Sequence, residues 1–376
     1  MKIGIVCYPT FGGSGVVATE LGLALANKGH KVHFITYTQP VRLKVFSPGV
    51  YYHEVRPLKY DLFEHTPYEI ALASKLVDVC QHEHLDILHV HYAIPHAAAA
   101  YFAKQILVSK GLNIPVVTSL HGTDITLVGK DDSYGPVVEF SINHSDGVST
   151  VSESLKIDTL AAFDIKKDIE VIPNFIDFNR FKKSNKEHFK KAICPENEKL
   201  IIHVSNFRKV KRIPDIIKVF KRVREHLPVK MLLIGDGPER HKAENLCRVL
   251  GTCNDIRFLG KQNAIEELMA IGDVFILPSE KESFGLAALE AMACEIPVIA
   301  SNTGGLPEII KHGTCGYLSP VGDIESMSNN MTKLLENNKR LNTFKQNALN
   351  RAKDFSLERI LPLYEAFYEK IMGSNS

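Results

Sequence analysis

Short, mainly apolar runs alternate with longer stretches of helical periodicity along the whole chain, in two successive series. The first series places strand-like runs at residues 2–7, 30–37, 51–55, 87–91, 116–120 and 147–151. Between them, residues 16–27, 68–82, 97–108 and 139–144 repeat apolar side chains every three to four positions, the spacing of one helix face. Ser152 and Ser154 stand where a further helix begins, as side-chain caps. The second series has runs at 200–204, 230–234, 256–258, 274–277, 297–300 and 316–318. Its helical patterning lies at 213–225, 264–271 and 284–293 and from 324 to the end. An apolar run without polar alternation marks a strand buried on both faces. Such strands alternating with helices predict parallel sheets covered on both sides, an α/β protein of Rossmann-like, doubly wound domains. The two series part near Glu170-Val-Ile-Pro-Asn-Phe-Ile-Asp177, and residues 179–199 beyond it are Lys-rich and irregular, a surface loop or short helix. The expected domains are therefore 1–172 and 173–356.

Composition narrows the class. A length of 376 residues suits two domains, and 45% hydrophobic with 23% charged residues is ordinary for a globular protein. A formal charge of +2 gives no reason to expect a nucleic-acid partner. The basic cluster Arg208-Lys-Val-Lys-Arg212 is local and points to a local anion. No apolar run approaches the roughly 18 residues that span a bilayer, so no stable membrane insertion is expected. The run at 2–7 is too short for a signal peptide and reads as a first strand. Seven cysteines at irregular spacing form no C-x-x-C pair. They predict free thiols, packed as small apolar residues in a reducing cytoplasm, and no metal-ligand cluster.

The residues with chemical potential follow strands. Tyr8-Pro-Thr-Phe-Gly-Gly-Ser-Gly15 joins a strand to a helix, and Gly12 and Gly13 allow backbone to approach a phosphate closely. It is not G-x-G-x-x-G, and no acidic ribose partner ends the next strand, which argues against a dinucleotide. His121-Gly-Thr-Asp124 follows the run at 116–120, where His121 can donate to a phosphate or a sugar hydroxyl. Arg208 and Lys211 follow the run at 200–204 and can neutralise a diphosphate. After the run at 274–277 comes a polar loop and a helix with Ser283 as its expected cap, whose free first-turn N–H groups suit phosphate. Glu282 and Glu290 bracket that turn. Eight helical residues rise ~12 Å at ~1.5 Å each, beyond the roughly 5–9.5 Å of a glycosidase pair. The two carboxylates suit the ends of an elongated ligand with a diphosphate between them. Gly304-Gly305 allows one more tight backbone approach. Each feature also has an ordinary reading: a tight turn, a solvated basic loop, a surface helix glutamate. With no Ser-His-Asp order, Walker lysine or metal cluster in the sequence, the chemistry left is group transfer from an activated phosphate ester.

The stretch from Glu282 to Glu290, with Ser283-Phe284-Gly285 inside it and Ala291-Met292-Ala293 after it, resembles the Glu-x7-Glu signature of retaining nucleotide-sugar glycosyltransferases of family 4, which have the GT-B fold. The resemblance implies two domains facing a cleft, with the C-terminal helix, 357–376, crossing back to the first. It implies that Glu282 contacts the donor sugar and Glu290 the ribose. Ser283, Phe284, Gly285 and Leu286 would hold sugar hydroxyls and phosphate. His121 would sit beside the sugar, and Gly12, Gly13 and Ser14 against the diphosphate and acceptor. The family usually carries G-R-x-x-x-x-K where this chain has Asn206 at the Arg position and Lys211 at the Lys, leaving Arg208 as the candidate substitute. Four longer stretches are similar to one branch of the family: C-Y-P-T-F-G-G-S-G-V-V-A-T-E-L-G from Cys7, H-V-H-Y-A-I-P-H from His89, L-H-G-T-D-I-T from Leu120 and H-V-S-N-F-R-K-V-K-R from His203. That branch moves N-acetylglucosamine from UDP to the hydroxyl of L-malate with retention, the first step of bacillithiol synthesis. The resemblance thus implies UDP-N-acetylglucosamine and L-malate as substrates and neither cofactor nor metal. The implied catalytic groups are His121, Glu282, Arg208 and Lys211, with Ser14, Tyr92 and Thr123 toward the acceptor. Another family 4 transferase with a lipid or sugar acceptor, an epimerase and a UDP-sugar-binding protein without turnover stay open, as does a homo-oligomer.

Overall fold

The apolar runs of the first series become parallel strands: β1 Lys2–Val6, β2 Lys31–Thr36, β3 Val50–Glu54, β4 Ile87–His91, β5 Val116–Leu120, β6 Gly147–Thr150, with β7 Ile169–Val171 added at the edge. Their order in the sheet is β3-β2-β1-β4-β5-β6-β7. The second series gives β8 Lys199–Val204, β9 Val229–Ile234, β10 Ile256–Gly260, β11 Val274–Leu277, β12 Val298–Ser301 and β13 Gly316–Ser319, ordered β10-β9-β8-β11-β12-β13. All recorded pairings are parallel; Ile3, for instance, lies opposite Val32 on one side and Ile87 on the other. This computed structural model describes residues 1–10, 12–43, 46–58, 60–61, 65–184 and 187–373.

The chain divides into two compact units, Met1–Asn174 together with the C-terminal helix from Leu357, and Phe175–Ser356. In the first, Val6, Ile35, Leu88 and Val90 pack against helix residues such as Leu72, Leu76 and Ala103. In the second, Ile201, Met231 and Ile276 meet Ile216, Phe220 and Met331. Each such fully buried side chain contributes about 1.5–3 kcal/mol. The helix Leu357–Gly373 is held to the first unit by Tyr368, whose hydroxyl lies 2.7 Å from His89 Nδ1, and by Lys370, which donates to Glu170 at 2.7 Å. Residues 374–376 of the expected helix lie outside the described residues.

Strand order reverses between β1 and β4 and again between β8 and β11. Open parallel sheets bind ligands outside the carboxyl ends of their strands at such switch points. The loops that leave β1, β4, β8 and β11 carry Gly12 to Ser14, Tyr92, Asn206 to Lys211, and Glu282 to Leu286.

Several expected elements change. The first helix is Gly13–Asn27, starting earlier than its apolar pattern indicates, because the Gly-Ser-Gly before Val16 is accommodated in the first turn. The helix Gly135–Asn143 likewise starts before residue 139. Arg240–Val249 is an additional helix, whose stripe of Ala243, Leu246 and Cys247, continued by Leu250, packs on the core of the second unit. The stretch from 324 is three helices, Ile324–Leu335, Asn338–Ala352 and Leu357–Gly373. The Asn337 side chain accepts from Arg340 N at 3.0 Å and restarts the second, with neither Gly nor Pro at the break. The cysteines are free, and all but Cys253 are buried. Among the described residues no helix is long and apolar enough to cross a membrane.

Candidate active site

In the first unit the helix Gly13–Asn27 opens directly after the β1 loop with Gly12 as its N-cap, and Val16 N is the first to bond back, to Gly12 O at 3.1 Å. Helix N-termini leave such first-turn N–H groups for a ligand, and the helix dipole favours an anion there. The Ser14 hydroxyl lies 2.9 Å from the Tyr92 hydroxyl, so two expected acceptor residues meet. Tyr92 sits at φ +82°, ψ 137°, an uncommon backbone for a non-glycine residue, and its ring lies 5.3 Å from His121. Thr123 opens the short helix Thr123–Thr126, half-buried beside these groups in sequence.

Asp124 organises this cluster. Its Oδ1 accepts from Gly122 N at 2.9 Å and His121 N at 3.3 Å, and its Oδ2 accepts from Ala93 N at 3.1 Å. One buried carboxylate thereby ties the loop after β5 to the loop after β4. Burial pushes its pKa up to about 6, against the backbone N–H groups that pull it down.

His121 is not a lone histidine. Its ring stacks on His91 at 5.0 Å, and His91 stacks on His89 at 4.4 Å. His91 Nδ1 lies 2.8 Å from His121 Nε2, while His96 Nδ1 donates to His91 O at 2.5 Å. Burial lowers all four, His89 and His121 to about 3 and His96 to about 4, with neighbouring histidines adding to the effect on His91. They are neutral at neutral pH. The buried Nε2 of His91 has no hydrogen-bond partner among the described residues. A bare lone pair there costs less than an orphaned N–H, which assigns the His91 proton to Nδ1 and makes that group the donor to His121 Nε2. His121 then carries its own proton on Nδ1, the tautomer able to donate to a ligand oxygen.

In the second unit the β8 loop leaves Asn206 and Arg208 exposed and Lys211 half-buried. Arg212 is committed to Asp215, Nε to Oδ2 2.6 Å, so Arg208 is the guanidinium of this loop presented to solvent. Lys211 Nζ donates to Glu282 Oε2 at 2.5 Å, and Ser279 Oγ donates to the same oxygen at 3.2 Å. An acceptor and a cation from two loops thus meet in one place. The helix after Glu282 is Leu286–Ala293, and its N-cap is Gly285 at φ +98°; no side chain caps it. Ser283 is therefore not the cap, because the chain makes a left-handed turn at Gly285 and enters the helix two residues later than a Ser283 cap requires. Only the last part of the 282–290 stretch is helical, so the rise of eight helical residues does not apply to it. Phe284 points into the core, its ring 5.8 Å from Phe355. Glu290 is 8% exposed, which excludes the reading of a solvated surface glutamate. Gly304, at φ +55°, lies where a Cβ would stand 1.9 Å from Glu282 O, and Gly305 N donates to that oxygen at 2.9 Å. The approach allowed by Gly304-Gly305 is thus to the Glu282 loop.

Comparison with known proteins places this arrangement. Residues 11–180 match the family described as Glycosyltransferase Family 4, and residues 184–351 match Glycosyl transferases group 1. The chain is 46% identical over 374 residues to N-acetyl-alpha-D-glucosaminyl L-malate synthase of Bacillus anthracis, covering 99% of this chain and 97% of that one. The chain belongs to the family 4 glycosyltransferases. Solved structures share its GT-B fold: sucrose-phosphate synthase of Thermosynechococcus elongatus, with TM-score 0.82, 20% identity and 99% of each chain covered, and Anabaena HepE in complex with UDP and glucose, with TM-score 0.81, 21% identity and coverage of 97% and 99%.

For this glycosyltransferase the motif residues are recognisable in sequence, but their supports are not. Asp124, His91 and Gly304 act through groups 31, 30 and 22 positions away along the chain, where spacing carries no signal. The strand-end positions of His91 and Asp124 were the available hint. One further group lies outside the expected site: His33, His53 and Glu83 bring three ligand atoms within 4.8 Å of one another. Their separations of 20 and 30 residues hide them from any local pattern.

Proposed function

We propose that the protein transfers N-acetylglucosamine from UDP-N-acetylglucosamine to the hydroxyl of L-malate, with retention at the anomeric carbon, as the first step of bacillithiol synthesis in the cytoplasm. The observation that carries this reading is the 46% identity to N-acetyl-alpha-D-glucosaminyl L-malate synthase over nearly the whole of both chains. In this reading Arg208 and Lys211 hold the diphosphate, assisted by backbone N–H groups at Gly13 and at the turn from Ser283 to Leu286. Asn206, at the place of the family arginine, contacts the donor through its amide. Glu282 accepts from a hydroxyl of the sugar once Lys211 turns to phosphate, and Glu290 binds the ribose. The Nδ1–H of His121 donates to the sugar or its phosphate. Ser14, Tyr92 and Thr123 take the acceptor, whose carboxylates are favoured by the start of the helix Gly13–Asn27.

The bond from the anomeric carbon to the leaving phosphate oxygen breaks, and a bond to the malate oxygen forms on the same face. The malate hydroxyl proton passes to the leaving phosphate. The residues supply positioning and charge stabilisation, and no metal takes part in this scheme. The test is incubation with UDP-N-acetylglucosamine and a panel of hydroxy acids, following UDP and glycoside by mass spectrometry. An α-linked malate glycoside is the expected product. UDP release without it overturns the acceptor assignment, and no turnover at all overturns the transferase reading.

A further inference from the structure

Away from the loops at the strand ends, the first unit holds a second group of chemically capable side chains. His33 lies on β2 and His53 on β3. Register pairs Ile35 with His53 and His33 with Tyr51, so both histidines occupy alternate positions on one sheet face. Ile35 and Val55, two residues beyond each, pack into the core with helix residues Leu72, Leu76 and Cys80, which identifies that face as the one under the helix Tyr68–Glu83. Glu83 is the last residue of this helix, and its carbonyl accepts from Lys2 Nζ at 2.8 Å at the start of β1. Glu83 therefore stands at the amino end of β1, with His33 midway along β2 and His53 inside β3, whereas the transferase loops leave the carboxyl ends of β1, β4 and β5.

His33 is 1% exposed and its ring stacks on Tyr51 at 4.6 Å, which fixes its plane. Its Nδ1 lies 2.9 Å from His53 Nε2. One ligand atom from each of His33, His53 and Glu83 falls within 4.8 Å of the others. Burial lowers both imidazoles, so they present lone pairs at neutral pH. The charges around them are mixed: Glu83 and Asp78 favour a cation, while Lys2, Lys31 and Lys75 oppose one. Asp78 is already paired with Lys75 at 2.7 Å.

We propose that His33, His53 and Glu83 form a binding site for a late first-row divalent cation, with Zn²⁺ as the best match. Two imidazoles and one carboxylate are a borderline donor set, which favours zinc and cobalt over magnesium or calcium. Around tetrahedral zinc, with bonds of ~2.0–2.1 Å, ligand atoms stand about 3.3 Å apart. The two rings need to open by only a few tenths of an ångström, and the carboxylate swings in by a side-chain rotation. The single hydrogen bond between the rings gives way to two metal–nitrogen bonds, and a water fills the fourth position. Bound metal would join β2, the β3 edge and the helix Tyr68–Glu83. The proposal does not depend on the transferase reading.

The test uses the full chain, stripped with a chelator and titrated with Co²⁺ and then Zn²⁺. One equivalent of Co²⁺ should give a saturable visible band that Zn²⁺ displaces. At a hundredfold excess of free Zn²⁺ over Kd the folding equilibrium should rise about a hundredfold, read as a higher Tm. His53→Gln and Glu83→Gln, both at half-buried positions, should each weaken binding at least tenfold, and His82→Gln should leave it unchanged. Zinc-edge X-ray absorption on the unaltered protein should show two imidazole nitrogens and carboxylate or water oxygen. No saturable binding, binding unaffected by either substitution, or a first shell without two imidazoles overturns the proposal.

Discussion

Lowering the pH should unfold the first unit through its histidines, by an amount that can be worked out. His89, His91, His96 and His121 are all held neutral by burial, at about 3 to 4 where values are set. In the unfolded chain each returns to about 6.5. The folded pKa lies below the unfolded one, so between these values the unfolded state binds more protons. Stability is therefore complete above about pH 6.5 and is lost as the pH falls toward the folded values. At pH 5 His89, His96 and His121 each favour unfolding by about 1.5 pH units at 1.36 kcal/mol per unit, about 2 kcal/mol. The three together reach about 6 kcal/mol, comparable with the 5–15 kcal/mol that holds a typical domain, and His91 adds in the same direction. Asp124 works in the opposite direction, since its pKa is raised to about 6 and it binds a proton more readily when folded. At pH 5 that returns only about 1–2 kcal/mol, so the histidines decide the sign. Urea melts between pH 7.5 and 4.5 should show a steep loss below pH 6.5, and His121→Asn should remove about 2 kcal/mol of it. Stability that stays flat from pH 7 to 5, or an unchanged slope in the variant, would refute the burial of neutral rings.

Four further outcomes follow from single contacts. Gly304→Ala forces a Cβ onto Glu282 O at a left-handed position and should cost at least about 2 kcal/mol in a denaturant melt, with weakened UDP binding by calorimetry; wild-type values for both would show the loop is not braced there. Asp273 is buried and accepts from Lys190, Lys345 and Leu200 N at 2.6, 2.8 and 3.0 Å, so Asp273→Ala should lose about 3–5 kcal/mol, a loss below 1 kcal/mol meaning that the lysines escape to water. ¹⁵N shifts of His121 should show a protonated Nδ1 and a bare Nε2; the reverse pattern removes His91 as the group that sets the tautomer. Glu282→Ala should raise the donor KM or lower kcat well beyond tenfold, and unchanged kinetics would remove Glu282 from the site.

The sequence by itself determined the strands and the family. The runs at 87–91 and 116–120 match β4 and β5 end to end, although His89, His91, Thr118 and Ser119 are buried within them, because a strand covered on both faces keeps a mainly apolar, β-branched composition between polar loops. The glycine-rich loop, His121 and the Glu282–Glu290 stretch were legible because each is contiguous and sits at a strand end. Helix starts were less so: Gly285 rather than Ser283 begins the helix Leu286–Ala293, a choice made by a left-handed backbone that a side-chain pattern does not record. What only the tertiary structure decided are the pairings between distant residues. Lys211 meets Glu282, Asp124 reaches Ala93, His91 meets His121, and His33, His53 and Glu83 converge. Each joins loops or strands that are neighbours in a sheet but 20 to 71 positions apart in the chain, or 30 for the last helix residue of the three-ligand group. Strand order sets those distances, and strand order is fixed by packing and crossover handedness rather than by any local feature of the residues themselves.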